Sequence, residues 1–200
     1  MSLKTILVCA GVLALSSCDD DEQQNAALQG GGLGSAAQND VVAGAVGFCE
    51  PQGGTQALGG ASWSSGVTTA KIDTDGNPLM QGHDPDWQPG TTGTVNGKGV
   101  DSSKYAYVVM SKEQLYQSGV SMGDWAIVTN SGTGQTTYAR VEDKGPDGGT
   151  GEISQAAATA VGIQYASNAF TIGDPSVRVE AFAGTASIEG DCASGLATSS

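Results

Sequence analysis

Apolar residues in this chain come in short alternating runs, cut apart by clusters of Gly, Asn, Asp and Ser, and this rhythm limits the fold more than any other feature. Alternation at a period of two sets one face of a strand against a core and the other toward solvent. Tyr105 to Met110, Trp125 to Thr129, Thr136 to Val141 and Ser176 to Phe182 read as strands in this way. The second and third flank Asn130-Ser-Gly-Thr-Gly-Gln135, which reads as a hairpin loop. Helical patterns are few: Lys112 to Gln117, and Glu152 to Val161, where Ile153, Ala156, Ala157, Ala160 and Val161 share a face. Glycine supplies 31 of 200 residues and charged residues 14 %; about 7 % and about 25 % are usual, and a helix-rich fold does not look like this. The expected class is mainly β with a few short helices, in one small β-barrel domain.

The N-terminus reads as a targeting segment. Lys4 supplies a positive start, Thr5 to Leu15 is a short apolar run, and Leu15-Ser16-Ser17-Cys18 resembles the cleavage box of bacterial lipoprotein signals. On this reading residues 1–17 are a signal peptide, Cys18 is lipidated, and the protein is exported and anchored to the cell envelope. The periplasmic and cell-surface faces both remain open. Asp19-Asp20-Asp21-Glu22 and the stretch to Asp40, with Gly30-Gly31-Gly32, carry few large apolar residues. Residues 18–40 are therefore expected to act as a tether. Residues 41–192 form the expected domain, of a size that suits one core, and 193–200 a tail. Cys49 and Cys192 lie near the two ends of that domain, and an oxidising compartment permits a disulfide between them.

Net charge is −13; between residues 41 and 192 there are 16 acids and 7 bases, so the domain itself stands at −9. Nucleic acid is excluded as a partner, because the chain carries no basic patch to overcome the repulsion. A cationic polymer would be drawn in, although acidity also serves solubility alone.

One stretch concentrates chemistry. An alternating strand ends at Asp143, the Gly145-Pro146 turn and a glycine-rich loop follow, and Glu152 opens the second helical pattern. Two carboxyl groups on stiff supports are the minimum machinery for cleaving a glycosidic bond: one protonates the leaving oxygen, the other activates water or attacks the sugar carbon. The same residues also read as an ordinary turn and an ordinary acid at a helix start. Glu142, next to Asp143, is expected on the opposite, solvated face of its strand.

Lys71-Ile-Asp-Thr-Asp-Gly76, Gly82-His-Asp-Pro-Asp-Trp87, Tyr105-Ala-Tyr-Val-Val-Met110, Gly123-Asp-Trp-Ala-Ile-Val128, Val141-Glu-Asp-Lys-Gly-Pro146 and Gly151-Glu-Ile-Ser154 follow one another in order. Together they resemble the endo-chitosanases of glycoside hydrolase family 75, over roughly Lys71 to Gly184. The resemblance leaves Val41 to Ala70 uncovered, a Gly/Ser-rich stretch that suits extra strands or a linker. It implies hydrolysis of internal β-1,4-glucosamine linkages in chitosan, with inversion, by Asp143 and Glu152. A double-psi-like barrel is the architecture suggested by analogy with other polysaccharide-cleaving enzymes. The dipole of a helix beginning at Glu152 would favour its ionised form, making Glu152 the base and Asp143 the acid. The alternative is a non-catalytic carbohydrate-binding or envelope lipoprotein on the same scaffold.

Asp73, Asp75, Asp84, Trp87 and Tyr105 are the expected substrate contacts. Asp73 and Asp75 also read as a plain Asp-Gly turn, and they suit calcium poorly, because Gly76 falls at the fourth loop position where an EF-hand needs glycine at the sixth. No metal or other cofactor is expected. His83 is the only histidine, so His-rich metal sites are excluded. Trp87, Tyr105 and Trp125 suit the core as well as a sugar face. The expected state is a monomer.

Overall fold

The computed structural model describes residues 50–166 and 170–190. The signal segment, Cys18 and its tether, the Cys49–Cys192 pair and the tail lie outside them. Elements run α1 (Gly54–Leu58), β1 (Trp63–Thr69), β2 (Lys71–Asp73), a 3-10 turn (Pro78–Met80), β3 (Thr94–Val95), β4 (Lys98–Gly99), β5 (Tyr107–Ser111), α2 (Lys112–Ser118), β6 (Trp125–Asn130), β7 (Thr136–Gly145), β8 (Glu152–Ser154), α3 (Gln155–Ala160) and β9 (Ser176–Phe182). The domain is mainly β: seven strands form one sheet that curls into a half-barrel. Among the described residues no helix is long and apolar enough to cross a membrane.

Strand order across the sheet is β1-β9-β6-β7-β5-β8-β2. Its two edge strands are consecutive in sequence, with only Ala70 between them. Adjacent Cα atoms are about 3.8 Å apart, so Thr69 and Lys71 hold the two edges within about 7 Å of each other and the sheet must curl. The handover is visible in the backbone: Ala70 N–H donates to Pro175 O on the β9 side at 2.8 Å, and Lys71 N–H to Gly151 O on the β8 side at 3.0 Å. Gly151 sits in the seam with φ 76°, and a Cβ there would lie 2.8 Å from Thr69 O.

β5 is buried along its whole length, as a strand with neighbours on both edges and both faces covered should be. It pairs in parallel with β7 and antiparallel with β8. Val108, Val141, Ile153, Val128 and Val179 are fully buried around it, and Trp125 lies under Arg140, whose guanidinium carbon is 3.7 Å from the ring centre. Trp125 is thus a core residue. The hairpin β6–β7 forms as expected. β1 shows that part of the stretch left uncovered by the motifs is a strand.

One element differs from the sequence reading. Glu152 does not open a helix; it opens β8, and the helix starts at Gln155, capped by the Ser154 hydroxyl accepting from Ala157 N–H. Pairing with β2 on one side and β5 on the other outweighs the helical pattern at Glu152 to Ser154.

Gly151→Ala tests the seam. A left-handed non-glycine residue costs about 1–3 kcal/mol, and here the methyl also meets the Thr69 carbonyl. The urea midpoint should fall by at least about 1 kcal/mol of stability with an unchanged slope.

Candidate functional site

In the parallel pairing of β2 with β8, Lys71 lies beside Glu152, Ile72 beside Ile153 and Asp73 beside Ser154. The alternation sends Ile72 and Ile153 into the core and sets Lys71, Asp73 and Glu152 on the other face. On β5, Val109 pairs with Asp143 of β7, and Val108 with Ile153 of β8, which brings Glu152 level with Val109. Asp143 and Glu152 therefore flank a single strand. Two strand spacings separate their backbones, about 9.5 Å, and both side chains open on one cleft of about 530 Å³.

The turn after β2 adds two more acids. Asp75 N–H donates to Asp73 Oδ1 at 2.8 Å, and Gln88 N–H to Asp75 Oδ1 at 2.6 Å. Gly76 must be glycine, with φ 75° and Val100 O where a Cβ would stand. Asn77 ties the turn down, donating to Gln155 Oε1 at 2.6 Å and accepting from Trp87 Nε1 through its carbonyl at 2.9 Å. As a result one carboxylate oxygen each of Asp73, Asp75 and Asp143 lies within 4.8 Å of the others. Asp84 joins the same cleft, its Oδ2 accepting from Thr74 Oγ1 at 2.6 Å.

Glu142 departs from expectation. Val108 pairs with Val141 and Val109 with Asp143, so Glu142 is the extra residue of a β-bulge, and simple alternation stops there. It is buried, 5 % exposed, rather than solvated. The strap Thr91–Gly93 lies on it: Gly93 N–H donates to Glu142 O at 2.6 Å, and a Cβ on Gly93 would lie 2.7 Å from that same oxygen. The neighbouring Thr92 N–H donates to Asp143 Oδ1 at 2.7 Å. Glycine at 93 thus lets the strap approach closely enough to orient Asp143.

Burial governs the electrostatics. It pushes the Asp73 carboxyl up to about 8, with the Asp75 N–H opposing and the charges of Asp75, Asp143 and Glu152 adding. Asp75 rises to about 6, chiefly by burial, against the Gln88 N–H. Glu142 rises to about 7 by burial, with Arg140 opposing. Glu152 is raised by burial first; Lys71 opposes, and Asp143, Asp84 and Asp86 add. The helix-dipole argument for an ionised Glu152 therefore falls, because Glu152 is in a strand and its surroundings favour the protonated form.

Of the expected site residues, Asp143, Glu152, Asp73, Asp75 and Asp84 line one cleft, and Trp87 and Tyr105 do not. Trp87 is half-buried with its indole N–H held by Asn77, and Tyr105 is packed in the core. Sequence reasoning missed Lys71, Lys144 and Phe170 as lining residues. It also missed Tyr107, fully buried, whose hydroxyl hydrogen-bonds the Asp73 carboxyl. A tyrosine at the start of a buried strand, directly before the Val-Val of β5, was its only signal. His83 is exposed and outside the cleft. The chain matches no protein-family model and no curated protein sequence.

Raised carboxyls make stability fall as pH rises: the folded state keeps their protons, so the stabilisation is complete below the unfolded values near 4 and is lost as pH passes about 6 to 8. Thermal melting should drop by more than about 5 °C between pH 5 and pH 8. Glu142→Gln should remove part of that slope, since the amide does not titrate.

Proposed function

We propose that the protein is an endo-acting glycoside hydrolase that cleaves β-1,4-glucosamine linkages in chitosan by inversion. The observation that carries the reading is the pair Asp143 and Glu152, one strand apart on a single acidic cleft. Inversion needs carboxyl groups about 6.5–9.5 Å apart with a water between, and placing the two acids on either side of one strand supports that reading.

Glu152 acts as the general acid. Its partial burial over Gly145, where a Cβ would stand 3.3 Å from Oε2, raises its pKa and favours the protonated form that an acid needs. Asp143, oriented by Thr92 N–H, acts as the base. It takes a proton from water as the water oxygen bonds to the anomeric carbon. The bond from that carbon to the leaving oxygen breaks, and the proton of Glu152 goes to that oxygen. This reverses the assignment expected from the helix dipole. The acidic cleft and the domain charge of −9 favour a cationic polymer over neutral or anionic ones. An exported, lipid-anchored location at the cell envelope and a monomeric state complete the proposal.

The test is reducing-end release and viscosity loss from chitosan by the full-length protein. Asp143→Asn and Glu152→Gln should each lower the rate by about 10²–10⁴-fold, while melting stays cooperative. A folded wild-type protein that binds chitosan without turnover between pH 4 and 8 would overturn the hydrolase reading in favour of a carbohydrate-binding protein. The rate should decline on the alkaline side as Glu152 loses its proton, whatever the polymer length.

Gly93→Ala isolates the strap. The methyl must push Thr92 away from Asp143, and displacement of a catalytic group by about 1 Å costs on the order of 100-fold. The loss should appear in kcat, with oligosaccharide affinity little changed.

A further inference from the structure

A single exposed apolar side chain is ordinary on a protein surface, but Phe170 is placed on the wall of the cleft that holds Asp143 and Glu152. It is 71 % exposed and stands outside the core cluster. No other aromatic residue among the described ones lines that cleft. Trp87 and Tyr105, which carry the chemistry for stacking on sugar, are turned away from it, so Phe170 alone can offer an aromatic face there.

The backbone around Phe170 is fixed while its ring is left in solvent. Tyr165 and Thr171 form an antiparallel bridge. Ala166 N–H donates to Phe170 O at 2.8 Å, and Ile172 N–H to Gln164 O at 2.9 Å. Tyr165 is partly buried against the core, and its hydroxyl shares a hydrogen bond with Thr159 Oγ1 of α3 at 3.4 Å. α3 continues directly from β8, which begins with Glu152. The arm that bears Phe170 is therefore anchored to the same block of chain that carries one acid of the pair.

Chemistry selects what such a ring would meet. A β-linked glucosamine unit sets its hydroxyl and amino groups around the equator of the pyranose ring and leaves axial C–H groups on both faces. Those hydrogens are polarised positive, the more so beside an ammonium, and the face of a phenyl ring is negative. A cleft with charged groups on some walls and one phenyl on another matches the two kinds of surface that one sugar ring presents.

We infer that Phe170 is a stacking platform for a pyranose ring of the bound chain, and so a substrate-binding residue of the cleft. The choice of sugar rests on the hydrolase reading. Stacking on a phenyl involves no charge on the protein, so the contribution of Phe170 should persist in high salt, where attraction between the acids and a cationic chain is screened.

The experiment is calorimetric titration of full-length Glu152→Gln, which cannot turn over, with the glucosamine hexamer at low and at high salt. Adding Phe170→Ala should weaken binding by about tenfold, by the same factor at both salt concentrations. Phe170→Trp should stay within about threefold of the parent, and Phe170→Leu should lose most of what alanine loses. Tyr116→Ala is the control, because Tyr116 on α2 is 89 % exposed and outside the cleft; its affinity should not change. Thermal melts establish that each variant is folded. Unchanged affinity in folded Phe170→Ala, or a leucine variant that binds as tightly as the parent, would overturn the platform. An equal loss in Tyr116→Ala would overturn it too, by showing that the effect is not local to the cleft. Wild-type turnover of chitosan separates the two ideas. Turnover with binding indifferent to Phe170 removes the platform and keeps the hydrolase; Phe170-dependent binding without turnover keeps the platform on a binding protein. A protein that neither binds nor cleaves the hexamer would overturn both.

Discussion

Consecutive strands at opposite edges of one sheet are the constraint on which the rest of the structure depends. With only Ala70 between β1 and β2, the sheet must curl until its edges meet. Curling brings β2 beside β8, and that contact places Lys71 and Asp73 next to Glu152. Without it Asp73 would lie away from Asp143 and Glu152. Gly151 makes the seam possible, and it immediately precedes Glu152. Fold closure and site assembly are therefore the same event at this point of the chain.

The second constraint is the bulge at Glu142. An unbroken strand would turn Glu142 and Asp143 to opposite faces and leave one in solvent. The extra residue instead buries Glu142 beneath the strap while Asp143 keeps its place beside Val109. Bulges of this kind recur next to active sites because they re-aim one side chain without moving the sheet. The cost is borne by the acids: Asp73, Asp75, Glu142 and Glu152 are all harder to ionise than in water. A domain that keeps several carboxyl groups under such conditions gives up stability near neutral pH, which is the pattern expected where a site rather than the fold selects the residues.

The strands of the sheet were largely legible from alternation, because Trp125 to Asn130, Thr136 to Gly145 and Ser176 to Phe182 each bury one side against the core. The candidate pair and the Asp73–Asp75 turn were legible too, since both stand beside turn-forming glycines. What the sequence hid depends on pairing between distant segments. Glu152 to Ser154 has a helical pattern, and only the partners β2 and β5 make it a strand. The burial of Glu142 requires the bulge and Gly93, about fifty residues away in the chain. Trp87 and Tyr105 carry the right chemistry for sugar stacking, but their packing turns them away from the cleft, and no local pattern reports on that.

The central claim is that two carboxyl groups separated by one strand act on opposite sides of a glycosidic bond with a water between them. Proton NMR of the first products released from a glucosamine oligosaccharide tests it most directly. The account predicts that the α-anomer of the new reducing end appears first and the β-anomer follows by mutarotation. A β-anomer formed first would mean retention through a covalent intermediate and would contradict the account.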